Sequence, residues 1–374
     1  MKSNYDVLGN HIRLVDIRNK ELVTERLLGI NIYKYFMPSV ANIIGTDLSK
    51  YKLISKGIFA CNPMHVGRDD RLPVALYDEE SPAIVSPAYL MFEIIDKDVL
   101  NEDFLMLWFR RAEFDRVCWL RTDGSVRGGI TWDDICRIEL SVPDYEKQLR
   151  IVNNYKAISD RIALKRQIND NLEGIAQAIF IEKFVSDSYG EEVPFTDVVQ
   201  LMGGGTPQTD EHSYWNGTIP FFTPKDISLS PYCIKTEKTL SDEGLNACSS
   251  KLYPINTIFV TCRGTVGNVA MAGVPMAMNQ SCYALKGIGK YPPLFTFCLT
   301  KYVISVLKHK ASGAVFSALV TRDFEAEKII KPDITKAINF ESQISPIFSE
   351  ILSNTIEIDR LGEVKEVILA ALSK

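Results

Sequence analysis

The sequence predicts an α+β chain. Two similar mixed α/β domains are joined by two long helices packed as an antiparallel coiled coil, with pseudo-two-fold character. Two observations predict it. The first is an internal repeat. Ile130, Asp134, Ile135, Leu140 and Pro143-Asp144 recur as Leu319, Asp323, Phe324, Ile329 and Pro332-Asp333, each pair 189 residues apart. Gly124-Ser125-Val126 recurs as Gly313-Ala314-Val315 at the same offset, and Ile58-Phe59 with Val66-Gly67 recurs as Ile258-Phe259 with Val266-Gly267 at an offset of 200. Repeats of a few tens of residues make solenoids, whereas one repeat of half a chain makes two copies of a domain. The drifting offset places insertions in loops.

The second observation is a heptad pattern. In residues 145–184, Ile151, Tyr155, Ile158, Ile162, Leu172, Ala176 and Ile179 follow the 4-3 spacing of a coiled-coil seam, interrupted by Lys165 and Asn169. In residues 338–373, Ile344, Ile351, Ile358 and Leu372 are spaced by sevens. A shift of 193 lays Ile151 on Ile344, Ile158 on Ile351 and Ile179 on Leu372, so the helices are copies as well. Each is roughly 35 to 40 residues, hence about 50–60 Å long. Two such helices most simply pack on each other; the alternative is that each lies on its own domain as ordinary core.

In chain order, residues 1–142 form the first domain. A helix is expected around Val7–Glu21, and β-type runs at Leu53–Ser55, Ile58–Cys61 and Tyr89–Ile95. Pro143 ends this domain and Asp144 can cap the helix of the segment 143–187. The second domain spans 188–332, with a turn-rich stretch at Gly203–Pro207. Its strands are expected at Thr257–Thr261, Asn268–Ala272 and Cys282–Leu285. Pro332-Asp333 then opens the second helical segment, 333–374.

The 374 residues suffice for two or three cored domains, and 46% hydrophobic with 24% charged residues is ordinary globular composition. No apolar run reaches the roughly 18 residues that span a bilayer, and Met1–Asp6 has no signal-peptide core, so a cytoplasmic location without membrane contact is expected. The eight cysteines form no Cys-x-x-Cys pair and the four histidines do not cluster. Buried free thiols, and no metal, are expected. A net charge of −5 argues weakly against nucleic acid.

Catalytic signatures are missing. There is no phosphate-binding G-x-x-x-x-G-K-[ST] loop, no G-x-G-x-x-G between strand and helix, and no G-x-S-x-G elbow. The Asn/Asp-Pro-Pro-aromatic signature of amino-methylating DNA enzymes is also absent, Asn62-Pro63-Met64-His65 being a superficial echo. Asp333 with Glu363 and Lys365 resembles a nuclease triad, but its last two members sit two apart on one expected helix and so on different faces. Other features suit reading. Trp108, Phe109, Phe114 and Trp119 interleave with Arg110, Arg111, Arg116, Arg121 and, further on, Arg127. Guanidinium groups donate bidentately to guanine edges and phosphates. A helix with its aromatics in the core explains the aromatics equally well, but not five arginines. Thr223–Asp226 is equally a reading strand end or a turn.

The second half carries Gly204-Gly205-Thr206-Pro207, Tyr214–Pro220, Arg263-Gly264-Thr265-Val266-Gly267 and Asn279-Gln280; the junction carries Glu146–Val152 and Ile168–Leu172. With these motifs the whole chain resembles the specificity subunit of Type I restriction–modification systems. The first half is a divergent copy, with Asn31–Ser39 in place of the Gly-Gly-Thr-Pro segment and Ala60–Arg68 in place of the Arg-Gly-Thr-Val-Gly loop. The resemblance implies two target-recognition domains, each reading half of a bipartite, asymmetric sequence in double-stranded DNA. The helices would set the spacer between the halves. It implies no catalysis and no cofactor in this chain. Two methyltransferase subunits using S-adenosylmethionine would dock on it, as would motor–nuclease restriction subunits using ATP and Mg. Candidate DNA contacts are Asn62, His65, Arg68, Arg110, Arg111 and Arg127 in the first domain, and Thr206, Lys225, Arg263 and Asn279 in the second. Two rivals remain: a specificity protein serving a fused methyltransferase–nuclease, and a coiled-coil scaffold that binds no DNA.

Overall fold

A computed structural model describes residues 5–41, 44–64, 66–122, 128–186, 189–310 and 318–372. The chain divides into two compact units: unit 1, residues 1–160 with 362–374, and unit 2, residues 161–361. Unit 1 runs β1 (Tyr5–Val7), β2 (Ile12–Val15), β3 (Leu27–Ile30), β4 (Phe36–Pro38), β5 (Lys52–Ile54), β6 (Phe59–Cys61), α1 (Val66–Asp69), β7 (Val74–Leu76), β8 (Ala83–Val85) and β9 (Leu90–Ile94). Helices α2 (Glu102–Phe109), α3 (Ala112–Leu120) and α4 (Trp132–Cys136) follow, then β10 (Glu139–Ser141) and the long α5 (Tyr145–Ile181). Unit 2 has β11 (Glu192–Pro194), β12 (Val199–Gly203), β13 (Trp215–Phe222), β14 (Tyr232–Cys233), β15 (Lys238–Leu240), α6 (Asp242–Asn246), β16 (Ile258–Thr261), β17 (Val269–Ala272), β18 (Ala277–Met278) and β19 (Cys282–Gly287). It ends with α7 (Pro293–Lys310), α8 (Thr321–Ala326), β20 (Lys328–Ile330) and α9 (Ile334–Ala371).

The duplication read from sequence is a duplication of topology. Unit 1 has a sheet ordered β2-β9-β6-β7; unit 2 has β12-β19-β16-β17 in the same order, extended by β14. In the second sheet of each unit one strand pairs antiparallel with a neighbour and parallel with another, β3 with β4 and β8, β13 with β15 and β18. A two-stranded ribbon closes each copy, β1–β10 and β11–β20. The landmarks 189 residues apart are core positions: Ile130, Ile135 and Leu140 are buried, and so are Leu319, Phe324 and Ile329. Gly124, Val126, Gly313 and Val315 lie outside the described residues. Asp144 and Asp333 are both helix caps, Asp144 accepting from the Lys147 amide at 2.8 Å and Asp333 from the Lys336 amide at 2.7 Å.

Strand periodicity explains the layering. Along β16, Ile258 and Val260 face the cluster that contains α7 and the long helices, while Phe259 faces the second sheet with Phe222, Tyr253 and Met278. Along β6, Phe59 and Cys61 face α2 and α3, and Ala60 faces β3 and β8. The expected N-terminal helix is not formed. Residues 5–15 are β1, a 3-10 turn at Leu8–Asn10, and β2. Tyr5 pairs with Ser141 and Ile12 with Ile94, partners that lie far along the chain and leave no local periodicity to read.

Within unit 2 the long helices run antiparallel: Arg161 meets Glu357, Asn169 meets Asn354, and Lys183 meets Gln343 at 2.7 Å. Within unit 1, Lys365 lies over the Tyr155 ring at 4.6 Å, in the same sense. Tyr155, Ile162, Asn169 and Ala176, spaced by sevens, are all buried. The polar interruptions expected in the seam form one node. Asn354 Nδ2 donates to Asn169 Oδ1 at 2.9 Å, Lys165 Nζ donates to Asn354 Oδ1 at 2.6 Å, and Lys165 also pairs with Glu357 at 3.0 Å. Hydrogen bonds from Lys165 and then Arg161 hold the Glu357 carboxyl below its ordinary range. Pro346 interrupts the hydrogen-bond ladder of α9, flanked by Ile344, Phe348 and Ile351, which anchor this stretch in the unit 2 core.

The node yields a stability test. Asn354→Ala strands Asn169 and deprives Lys165 of an acceptor, and should cost about 1–3 kcal/mol in chemical denaturation. Replacing both Asn169 and Asn354 by Leu should restore stability to within about 1 kcal/mol of the parent or raise it.

Candidate functional site

In unit 2 the ends of several strands converge on an open groove of about 450 Å³. Thr206 follows β12, Lys225 follows β13, Arg263 leads the β16–β17 loop, and Asn279 lies between β18 and β19; all four line the groove. The sequence-predicted residues of the second domain are therefore brought together. Glycine makes the convergence possible. A Cβ on Gly204 would sit 2.4 Å from the Asn279 carbonyl oxygen and 2.6 Å from that of Met278, so only glycine lets the chain leaving β12 pass this segment. Thr206 Oγ1 is hydrogen-bonded to Gln280, and Asn279 Oδ1 accepts from the Ser281 amide at 3.0 Å.

Thr223–Asp226, directly after β13, is the turn of the two forms its sequence allowed: a 3-10 turn whose capping box joins the Thr223 amide to Asp226 Oδ2 at 2.8 Å. That turn presents Lys225 to solvent, with only a loose 4.0 Å approach to Glu237. Both side chains are exposed, so this pair contributes little. Arg263 makes no ion pair among the described residues. Its loop is shaped by Gly264 and Gly267 at φ +78° and +75° and closed by Gly267 N donating to the Thr261 carbonyl at 2.8 Å. Trp215, anchored by Nε1 donating to the Gln208 carbonyl at 3.0 Å, forms an aromatic wall capped by Lys238 at 5.2 Å. The groove thus offers amide and hydroxyl groups, a free guanidinium, ammonium groups and a flat ring. Such a surface can donate to acceptor oxygens and nitrogens of an extended polyanion.

Unit 1 is organised differently. The sequence reading sets Asn31–Ser39 against the Gly-Gly-Thr-Pro segment, but topology corrects this. Residues 31–35 follow β3, the counterpart of β13, so they match the Thr223–Asp226 turn. The 62–73 connection does match the Arg-Gly-Thr-Val-Gly loop, both joining equivalent strands, β6 to β7 and β16 to β17. Its backbone differs: Val66-Gly67 begins the short helix α1, whereas Gly267 is left-handed. Asn62 Oδ1 accepts from the Met64 amide at 3.1 Å, and Arg68 is committed to Asp69 at 2.6 and 2.9 Å. His65 and Arg127 lie outside the described residues.

The two adjacent arginines separate. Arg111 is buried, stacked over Trp108 at 5.3 Å and reaching the Leu372 carbonyl at 3.5 Å, and burial lowers its pKa. It packs α3 and is not presented to a ligand, contrary to the expectation of a DNA contact. Arg110 is exposed on a cleft of about 680 Å³ that it shares with Arg71 and Arg116. None of these three makes an ion pair among the described residues, and Arg71 stacks over Tyr33 at 5.6 Å. Asp70 and Glu366 also line this cleft, and neither Asn62 nor Arg68 does. Sequence reasoning missed Arg71, along with Lys34 and Asp115 in the cleft floor. The one available signal was a lysine set in the aromatic run Tyr33–Phe36.

All eight cysteines are free; six are buried, and burial pushes the Cys61 and Cys262 thiols up to about 12. Among the described residues no cluster of His, Cys, Asp and Glu could hold a metal ion, and no helix is long and apolar enough to cross a membrane. The nuclease-like set dissolves: Asp333 caps α9, and Glu363 and Lys365 lie on that helix, Lys365 over Tyr155.

Residues 190–368 match the family described as Type I restriction modification DNA specificity domain. The Type I restriction enzyme HindI specificity subunit of Haemophilus influenzae is 26% identical over 424 aligned residues, covering 91% of this chain and 90% of that protein. The MjaIX specificity subunit of Methanocaldococcus jannaschii is 27% identical over 184 residues, covering 48% of this chain and 41% of its own length. In fold, the crystal structure of the Type I restriction–modification S subunit from M. genitalium overlays with a TM-score of 0.57 at 14% identity, covering 98% of this chain and 95% of that one. Residues 190–368 thus carry the DNA specificity domain of that family, and the chain is similar over most of its length to Type I specificity subunits.

The separation of the arginines is testable without DNA. Arg111→Ala should lower the unfolding free energy by about 1–3 kcal/mol through lost packing. Arg110→Ala should stay within about 0.5 kcal/mol of the parent in the same denaturant titration.

Proposed function

We propose that this chain reads DNA sequence for a Type I restriction–modification complex and performs no chemistry itself. Residues 1–142 and 188–332 act as target-recognition domains, each reading one half of a bipartite, asymmetric site in double-stranded DNA. The helical segments 143–187 and 333–374 set the number of unread base pairs between the halves. Two methyltransferase subunits and the motor–nuclease subunits dock on it in the cytoplasm. S-adenosylmethionine, ATP and Mg belong to those partners.

The observation that carries this reading is the groove of unit 2. Thr206, Lys225, Arg263 and Asn279, drawn from four separate segments, meet on one open surface. Hydrogen-bonding groups that face outward from rigid strand ends are what direct readout of base edges requires. The same strand framework recurs in unit 1 with different loops, as two unlike half-sites demand. A net charge of −5 is compatible with this, since partner subunits can supply much of the phosphate clamp.

Three outcomes are expected. Mapping methylated adenines in cells with and without the chain should reveal one bipartite motif that depends on it; no new motif would refute the proposal. Arg263→Ala should relax one half-site only, or reduce the salt slope of binding by about 0.9 if its contact is a phosphate. Unchanged affinity, slope and motif would remove Arg263 from the interface. Deleting one facing heptad from each helix, 156–162 and 358–364, removes roughly 10 Å and should shorten the spacer by about three base pairs while both half-sites persist. Altered half-sites at a constant spacer would overturn the ruler assignment.

A further inference from the structure

We propose that the buried Lys34–Asp115 pair is the positioning device of unit 1, fixing two candidate reading loops against helix α3, the task that unit 2 gives to a left-handed glycine loop. This rests on the DNA-reading proposal above and goes beyond it by naming residues that touch no base.

Lys34 sits in the β3–β4 turn at φ +67°, a conformation L side chains seldom adopt and keep only when their surroundings hold them. Its side chain turns inward and is almost wholly buried. Nζ donates to the Phe109 carbonyl at the end of α2 and, at 2.7 Å, to Asp115 Oδ1 on α3, with the Phe114 ring 4.9 Å away. The same carboxylate oxygen accepts from the Leu72 amide at 3.1 Å. Leu72 closes the 62–73 connection. One oxygen atom therefore fastens the β3–β4 turn and the β6–β7 connection to one helix. Burial pulls the Lys34 ammonium below its ordinary pKa, and Asp115 opposes that shift.

A buried ion pair is a poor source of net stability, because desolvation offsets most of the attraction. Its distinguishing property is direction: it tolerates only a narrow range of loop positions. Unit 2 shows what it replaces. There the equivalent connection holds itself, with Gly264 and Gly267 left-handed and the Asn268 amide donating to Thr261 Oγ1 at 3.0 Å. Thr265 Oγ1 reaches the Pro224 carbonyl of the neighbouring turn at 3.5 Å. Unit 1 lacks the left-handed glycine at Gly67 and instead ties both segments to Asp115.

The test uses the full-length chain with its methyltransferase subunits and reads the methylated motif. Asp115→Asn removes the counter-charge; the double change Lys34→Met with Asp115→Leu fills the volume without leaving a lone charge and serves if the single variant does not fold. Discrimination should fall at least about tenfold in one half-site, the one that Arg263→Ala leaves alone, with spacer and other half intact. The unaffected half is an internal control for folding. A folded variant with an unchanged motif, or one that loses both halves equally, overturns the positioning role. Absence of any bipartite motif with the parent chain refutes the DNA-reading proposal and the clasp with it.

Discussion

The packing of two long helices on each domain copy is the contact on which the rest depends. Each sheet is covered on one face by its partner sheet, and the other face must be closed by helices. In unit 2 that closure comes from α7 together with Ala176 and Phe180 of α5 and Phe340, Ile344, Phe348 and Ile351 of α9. Unit 1 is finished by Val152, Tyr155, Leu369 and Leu372. Burying one such side chain contributes about 1.5–3 kcal/mol, and a domain's whole stability is only about 5–15 kcal/mol. The helices are therefore not appendages to finished domains. Coiled-coil seam and domain core share residues, Tyr155 in unit 1 and Ala176 in unit 2.

The helices pair with each other as their heptads predict, and each contributes to the core of both units instead of lying on a domain of its own. Heptad spacing was legible because it is local. The duplicated framework was legible because buried positions such as Ile135 and Phe324 tolerate little but apolar side chains. What was not legible shares one cause, non-local pairing. Residues 5–15 form strands because β10 and β9 are there to pair with them. Arg111 is buried because the end of α9 comes to rest beside it, and nothing in Phe109-Arg110-Arg111 separates an inward guanidinium from an outward one. In unit 2 the candidate site was legible because its motifs mark backbone demands, a close approach at Gly204 and left-handed turns at Gly264 and Gly267. In unit 1 those demands are met by side chains instead, and a lysine within an aromatic run advertises no such role.

The two copies also show which parts of a duplicated domain are free to change. Strand order, the closing ribbon and the Asp caps are shared. The connections after β3 and β13, and after β6 and β16, differ in length, backbone handedness and charge. A framework that buries the same apolar positions twice can carry loops held in place by unrelated means.

Sequence order and spatial order part company in one respect. Unit 2 is a continuous stretch, 161–361, whereas unit 1 begins the chain and is completed only by residues 362–374. Domains commonly finish folding in the order in which they leave the ribosome. Here the first domain to be translated must wait, its helical face open, until Leu369 and Leu372 have been made some two hundred residues later. The second can close before the first. During synthesis the exposed apolar surface of α2 and the start of α5 is thus a transient liability, and loss of residues 362–374 would spoil a domain that lies some two hundred residues earlier.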